Sequence, residues 1–259
     1  MARIDLNSDC GESYGPWTMG DDGGILGIVS SANIACGGHA GDPDTMARTI
    51  GLAQERGVSV GAHPGYSDPM GFGRRVIPMS GAAIERMISY QIGAFLGIAA
   101  LQGVPVAHVK PHGAINNLAC VDRDVADAIA RAVRAVAPDT TLLAVARTEL
   151  FAAGGRAGIK VAAEIFADRT YRADATLTPR SEPNAMVHDA NDAARRVRRM
   201  VERGAVVAED GTEIRTPIDS VCVHGDEPSA VAVARAVRDQ LEAAGHTIAP
   251  FTGRDGALD

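Results

Sequence analysis

Histidines carry the first chemical signal in this sequence, because five of the seven end or follow short apolar runs. The runs read SANIAC, VSVGAH, VAHVKPH and SVCVHG, and a similar run, ARIDLNSD, ends at Asp9. Imidazoles and carboxylates transfer protons, bind metal ions and hold polar substrates. If the runs are parallel strands of one sheet, their carboxyl ends share a rim, where α/β folds place their chemistry. The histidines concerned are His39, His63, His108, His112 and His224.

The segment VKPHG is the strongest single candidate for catalysis. Lys110 is one of only two lysines among the 25 basic residues of the chain. A lysine on the rim can stabilise an oxyanion or, with a lowered pKa, act as a base, and a neighbouring histidine can shuttle protons. We therefore expect Lys110 and His112 to be catalytic. His108, inside the same predicted strand, is expected to be a packed side chain.

Two further segments supply polar groups at the ends of the first two runs. Asn7, Asp9 and Glu12 close the first run, where carboxylates could bind a metal ion, act as a general base or cap a turn. His39 lies among three glycines, which permit close approach of a ligand to the backbone. Asp42 follows and begins a predicted helix whose N-terminal amides could bind an anion.

The third apolar run ends at His63. Pro64 comes directly after it and disfavours helix at His63, which keeps the imidazole on the rim. Arg74 and Arg75 lie on the loop beyond, between glycines. Because guanidinium groups form bidentate pairs with carboxylates and phosphates, both arginines are candidate substrate clamps.

The later segments offer further candidates for substrate binding. Glu164 is followed four residues later by Asp168-Arg169, and these charges could form a buried ion pair that orients a substrate or only stabilises the fold. Arg180 follows in the segment LTPRSEP. His224 ends the last strong apolar run and is expected to face the rim.

The elements that must position these residues alternate between strand and helix patterns. Asp42-Pro43 and Ser80 are typical helix starts, and Asp226 is expected to cap the last helix. Helices are predicted from Asp42 to residue 56, from Ser80 to about residue 101, and over residues 124–136, 189–203 and 228–243. Strands are predicted over residues 4–7, 32–35, 58–62, 106–109, 142–145, 161–165, 221–223 and, more weakly, 247–249.

This alternation predicts the α/β class. The strand runs are apolar at both alternating positions, as in parallel sheets covered on both faces. Seven or eight βα units favour an irregular TIM-like barrel, and a doubly wound sheet is the second choice. One domain over residues 1–259 is expected, with a small hairpin within residues 204–217 around Asp210-Gly211, a pair favoured in type I′ turns.

Composition excludes several classes of protein. With 46% hydrophobic and 22% charged residues among 259, the chain resembles a soluble globular protein. A net charge of −7 argues against nucleic acid or an anionic membrane as the main partner. No secretory signal, CxxC motif, P-loop, G-x-G-x-x-G motif or nucleophile elbow is present. We therefore expect a cytoplasmic protein without a nucleotide-binding motif of its own.

Six motifs in order, DLNSDCGESYG, SANIACGGHAGDP, GAHPGYSDPMGFGRR, VKPHGAINN, EIFADRTY and CVHGDEP, resemble the LamB/YcsF family from about residue 4 to about residue 250. The resemblance implies an irregular (β/α) barrel related to glycoside hydrolases and polysaccharide deacetylases. It also implies one component of an ATP-dependent 5-oxoprolinase, which opens the lactam of 5-oxo-L-proline to L-glutamate together with two partner subunits, B and C. The family residues retained here are Asp9, His39, His63, Lys110, His112, Asp168, Arg169 and His224.

The resemblance suggests a division of labour. ATP would bind mainly through the partner subunits, and this chain would deliver water to the activated ring. Asp9 or His112 would be the general base and Lys110 would stabilise the oxyanion, with His39 and His63 completing the catalytic set. The substrate would be held by Asn7, Arg74, Glu164, Asp168, Arg169, Arg180 and His224.

Two other functions remain open from the sequence. Asp9, His39 and His63 form a plausible Asp-His-His metal set for a deacetylase-type hydrolase. A non-catalytic, carboxylate-binding regulatory protein is the third possibility. Whether any metal ion binds cannot be read from residue spacing across strands.

Overall fold

The computed structural model describes residues 2–226 and 229–255. The strands are β1 (Arg3–Cys10), β2 (Ser31–Ala35), β3 (Ser59–His63), β4 (Val106–Val109), β5 (Thr141–Val145), β6 (Lys160–Phe166), β7 (Ala205–Val207), β8 (Glu213–Arg215), β9 (Ser220–Val223), β10 (Thr247–Ile248) and β11 (Arg254–Asp255). The α-helices are α1 (Asp22–Ile25), α2 (Pro43–Glu55), α3 (Gly81–Leu101), α4 (Gly113–Ala119), α5 (Arg123–Val136), α6 (Glu149–Arg156), α7 (Ala190–Arg203) and α8 (Ala230–Ala243).

Seven parallel strands close into a barrel within the described residues. Strands β1 to β6 pair in sequence order, and β9 pairs in parallel with both β6 and β1. The predicted irregular TIM-like barrel is therefore confirmed, and the doubly wound sheet is wrong because the sheet has no open edge between β6 and β1. Short β10 extends β1 in parallel, and β11 lies antiparallel to β6.

Helix starts follow the predicted capping residues. The Asp42 side chain accepts hydrogen bonds from the first amides of α2, and Ser80 caps α3. Gly57, with φ +67°, follows the end of α2, where a left-handed residue is favoured. Helix α8 begins at Ala230 without a side-chain cap, so the expected cap at Asp226 is wrong. The predicted start of this helix at residue 228 lies outside the described residues.

The barrel interior departs from the expected apolar pattern. In β1, Ile4 and Leu6 belong to the hydrophobic core, whereas Asp5, Asn7 and Asp9 are buried and bonded to polar side chains of other strands. The prediction that both alternating positions are apolar is therefore wrong for β1. Buried polar groups are tolerated there because each has hydrogen-bond partners.

Strands β7 and β8 form a two-stranded antiparallel hairpin beside the barrel. Its turn contains Asp210-Gly211, but only Gly211 has a positive φ, +88°. A type I′ turn requires positive φ at both central residues, so that turn type is not the one adopted. Among the described residues, no helix is both long and apolar enough to cross a bilayer.

Candidate active site

A cavity of about 700 Å³ lies where the strands of the barrel end. It brings together most of the predicted site residues, although these are far apart in the sequence. Asn7, His39, Glu164 and Asp168 are not on its wall but contact residues that are. The predicted residues that line it are Asp9, His63, Arg74, Lys110, His112, Arg169, Arg180 and His224.

Lys110 is buried and lies between two carboxylates. Its Nζ is 2.9 Å from Glu164 Oε1 and 3.1 Å from Asp9 Oδ1, and it donates to Cys222 Sγ at 3.0 Å. Burial alone lowers the pKa of Lys110, but the attraction of Asp9, Cys222 and Glu164 outweighs it and raises the pKa well above its usual value. Lys110 is therefore a cation at neutral pH and not a base.

Asp9 is held in its ionised form by its neighbours. Its Oδ1 also accepts a hydrogen bond from Asn33 Nδ2 at 2.9 Å, and its Oδ2 is 3.3 Å from His63 Nε2. Burial alone raises the pKa of Asp9, but His63 and Lys110 hold it well below its usual value. Both oxygens already have partners, which makes Asp9 a weak base.

Asn33 connects this group to His108, and the sequence analysis did not select it. Asn33 Nδ2 donates to Asn7 Oδ1 at 2.7 Å, while Asn33 Oδ1 lies 2.7 Å from His108 Nε2. His108 is fully buried, and its ring contacts Phe251 edge-on. The polar position of Asn33 within the run SANIAC was the available signal.

Three histidines and Glu12 form a second buried group beside Asp9. His112 Nδ1 is 3.0 Å from His63 Nε2, and His39 Nε2 is 3.2 Å from Glu12 Oε1. The rings of His39 and His112 stack in parallel with their centroids 3.6 Å apart. Burial lowers the pKa of His39 and of His112 well below the usual value, and each is further lowered by a neighbouring histidine.

Close glycine contacts hold this histidine stack in place. A Cβ on Gly73 would lie 2.7 Å from the Cβ of His39 and 3.0 Å from Cδ2 of His112. Gly73 also has a φ of +61°, which side chains other than glycine rarely adopt. The GFG segment of the sequence thus provides room for the imidazoles.

His224 and Asp168 form an oriented pair on the opposite part of the wall. His224 Nδ1 is 2.8 Å from Asp168 Oδ2, and the His224 backbone amide donates to the same oxygen at 3.3 Å. Burial alone raises the pKa of Asp168, but His224 lowers it below its usual value. The carboxylate therefore fixes one nitrogen of His224 and leaves Nε2 for the cavity.

Arg169 does not form the ion pair considered for the segment from Glu164 to Arg169, because Glu164 binds Lys110 and Asp168 binds His224. Instead, Arg169 donates to the carbonyl oxygens of Thr178 and Ala185.

The remaining predicted anion sites separate. Arg74 pairs with Asp226 at 2.7 Å, whereas Arg75 turns away and pairs with Asp68. Only Arg74 lines the cavity, so the two arginines do not act as one clamp. The expected anion site at the start of α2 is filled by the Asp42 carboxylate itself.

Comparison with known proteins identifies the family. The profile of the LamB/YcsF family matches residues 4–256. The chain belongs to this family. A Rhodopseudomonas palustris (strain BisB5) protein, named as the A subunit of 5-oxoprolinase, is 51% identical, over 97% of this chain and 100% of its own length.

Solved structures agree with the LamB/YcsF assignment. A lactam utilization protein from Thermus thermophilus superposes with a TM-score of 0.91 and 44% identity, covering 96% of this chain and all of its own. A peptidoglycan N-acetylglucosamine deacetylase domain from Eubacterium rectale ATCC 33656 gives a TM-score of 0.51 at 13% identity, covering 99% of this chain and 90% of its own. The second likeness concerns the fold alone.

Proposed function

We propose that this chain is the A subunit of an ATP-dependent 5-oxoprolinase and opens the lactam of 5-oxo-L-proline to L-glutamate. The observation that carries the proposal is the near-full-length identity of about half to proteins that bear the name of this 5-oxoprolinase component. The cavity supports it, because a buried cation, an oriented histidine and two arginines converge on one space. We place the protein in the cytoplasm, where its four free cysteines would remain reduced.

The reaction needs activation from outside this chain. An unstrained lactam is a poor electrophile, and phosphorylation of its carbonyl oxygen by ATP would make the carbon easier to attack. The sequence has no nucleotide-binding motif, so we assign ATP binding to the two partner subunits, B and C. This chain would then bind the activated ring and deliver water.

Lys110 is assigned to the oxyanion. Its ammonium group lies on the cavity wall and remains protonated, so it stabilises negative charge that develops on the former carbonyl oxygen. Asp9 and Glu164 hold the ammonium in position from behind. The alternative role of Lys110 as a base does not fit its raised pKa.

His224 is the better general base than Asp9 or His112. Asp168 binds Nδ1 of His224, which leaves the lone pair of Nε2 for water, as in other carboxylate-oriented histidines. His224 would accept the proton of the attacking water and return it to the ring nitrogen as the C–N bond breaks. Asp9 is already bound by three side chains, and Nδ1 of His112 faces His63.

Arg169 and Arg180 are assigned to the substrate carboxylate. Both line the cavity, and Arg169 is fixed by two backbone carbonyls. Burial and the repulsion of Arg180 lower the pKa of Arg169 to about 10, so both remain charged at neutral pH. A carboxylate bound between them would relieve this repulsion.

Reconstitution tests the proposed reaction. The full chain, purified partner subunits, ATP and 5-oxoproline are combined, and glutamate formation is measured with each component omitted in turn. We expect turnover only with the complete mixture. Equal turnover without this chain, or none with every component present, would contradict the proposal. Release of acetate from an acetylated amino sugar by this chain alone would favour the deacetylase alternative instead.

A further inference from the structure

His63 and His112 face each other with the same kind of nitrogen. His63 Nδ1 lies 2.6 Å from the backbone oxygen of Lys110, and His112 Nε2 lies 2.9 Å from the backbone oxygen of Phe72. A carbonyl oxygen only accepts hydrogen bonds, so both of these nitrogens carry hydrogen. The other two nitrogens, His63 Nε2 and His112 Nδ1, therefore direct lone pairs at each other across 3.0 Å.

Two facing lone pairs at hydrogen-bond distance repel unless a cation lies between them. That cation is either a proton or a metal ion. Glu12 adds a carboxylate, since its Oε1 is 3.7 Å from His112 Nδ1 and all three ligand atoms lie within 4.8 Å of one another. In a tetrahedral zinc site with bonds of about 2.0–2.1 Å, ligand atoms are about 3.4 Å apart, close to these separations.

We propose that His63 Nε2, His112 Nδ1 and Glu12 Oε1 bind one divalent transition-metal ion of the zinc type. Three protein ligands leave a coordination position open, as in catalytic sites, and two of them, His63 and His112, lie on the cavity wall. The set differs from the Asp9-His39-His63 group considered from the sequence. Asp9 is instead bound to Lys110 and Asn33.

Outer contacts already orient both histidines for a metal ion. Metal-binding histidines usually donate their second N–H to a carbonyl or carboxylate, which fixes the ring. The carbonyls of Lys110 and Phe72 do this here. Phe72 has a φ of +52°, an unfavourable conformation for a residue with a side chain, which places its carbonyl toward His112.

His39 is a positioning residue in this site and not a ligand. Its ring is parallel to that of His112 within 2°, at a centroid distance of 3.6 Å. An ion bound in the plane of one ring would therefore lie outside the plane of the other. His39 instead contacts Glu12 Oε1 at 3.2 Å and orients the carboxylate.

Charge distinguishes this group from the other acidic cluster of the cavity. Asp9, Cys222 and His224 also lie close together, but Lys110 Nζ is within 3.1 Å of both Asp9 and Cys222 and serves as the cation there. Because Lys110 is also bound to Glu164, it is already shared between two carboxylates. Glu12 is then the carboxylate that a metal ion would neutralise.

Direct binding measurements test the site without substrate or partner subunits. The full chain is stripped with a chelator and titrated with Zn²⁺ by calorimetry and with Co²⁺ by visible absorption. We expect one ion per chain with a tetrahedral cobalt spectrum. Glu12→Gln and His112→Gln should each weaken binding by more than about 100-fold, beyond the 10–100-fold loss typical of outer contacts. His39→Gln should fall within that smaller range.

His224→Gln is the matched control, because it removes an imidazole from the same cavity but not from the proposed ligand set. It should bind Zn²⁺ with unchanged affinity, and thermal unfolding of every stripped variant establishes that it is folded. No binding by the folded wild type, or undiminished binding by both Glu12→Gln and His112→Gln, would show that only a proton lies between the histidines. Either result leaves the proposed 5-oxoprolinase reaction standing, since that is measured separately as glutamate formation.

Discussion

At the scale of single residues, the site depends on charges that are buried but paired. Lys110 contacts Asp9 and Glu164, and His224 contacts Asp168. An isolated buried charge is costly, whereas a paired one can be kept in a fixed protonation state. The pairs therefore define which groups donate protons and which accept them.

Replacing Lys110 should affect both catalysis and stability. In Lys110→Met, we expect kcat with partners and ATP to fall about 10²–10³-fold, the usual cost of losing one oxyanion donor. Stability should fall by about 3–5 kcal/mol because two buried carboxylates lose their cation. Turnover is measured only on the folded fraction. Lys160→Met, at the exposed first position of β6, is the control and should change neither quantity. Near-normal turnover by folded Lys110→Met would remove the assigned role.

The pair of His224 and Asp168 should behave as one unit. His224→Gln and Asp168→Asn should each lower kcat by about 10²–10⁴-fold, the range of general acid–base catalysis. The double variant should lose little more than either single variant, because groups that act together are not additive. Steady-state kinetics with partners and ATP measures all three. Independent, multiplying losses would mean that Asp168 does not act through His224.

At the scale of elements, glycines in helices show where the barrel is closely packed. Gly154 in α6 lies against β5 and β6, and a Cβ there would overlap Cγ1 of Val161. Gly97 in α3 has nothing within 4 Å of the place a Cβ would occupy. The two positions therefore predict opposite effects of the same substitution.

Gly154→Ala should destabilise the protein by about 1–3 kcal/mol through overpacking, more than the gain in helix propensity. Gly97→Ala should stabilise it by roughly 0.5–1 kcal/mol, because alanine restricts the unfolded chain and favours the helix. Urea unfolding of both variants beside the wild type measures the difference. If both changes have the same sign, the packing of α6 on the sheet is not as described.

Local signals explain which elements the sequence predicted. The seven barrel strands and helices α2, α3, α5 and α7 carry apolar runs or capping residues that depend only on neighbours in the chain. Helices α1 and α6 were missed because they are short, with four and eight residues. Helix α4, with seven residues, begins at Gly113 without a side-chain cap and so gives no start signal.

Contacts across the barrel explain what the sequence did not predict. The shared rim of His63, His112 and His224 follows from parallel strands and was expected. The partner of Asp168 depends on β9 lying beside β6, which is known only once the barrel closes. For the same reason, the facing nitrogens of His63 and His112 could not be read from residue spacing.

At the scale of the whole molecule, a column of polar side chains runs through the barrel from Asp5 to the cavity. Asp5 accepts hydrogen bonds from Ser30 and Ser31 at 2.7 and 2.6 Å and from Ser220. Asn7 lies one step further along β1 and bonds to Ser220 and Glu164. The catalytic end of the barrel is thus connected to its opposite end by buried polar contacts.

Asp5 should make the stability of the whole protein depend on pH. Burial raises its pKa to about 6 from the usual value of 3.8, although the serine hydroxyls lower it. The folded state then binds more protons than the unfolded state between these two values. The contribution of Asp5 is therefore complete below the unfolded value and is lost as the pH rises through about 6. A shift of about two units corresponds to about 3 kcal/mol.

Asp5→Asn should remove this dependence, because a buried amide stays neutral and can still bond to the serine hydroxyls. Urea unfolding at several pH values between about 4 and 7 gives the free energy of unfolding of both proteins. We expect the stability of Asp5→Asn relative to wild type to rise across this interval by up to about 3 kcal/mol. Contributions of other groups, including Asp9 and Asp168, cancel in this difference. Parallel curves would mean that Asp5 stays ionised within the barrel, so the polar column would carry a fixed negative charge at its base.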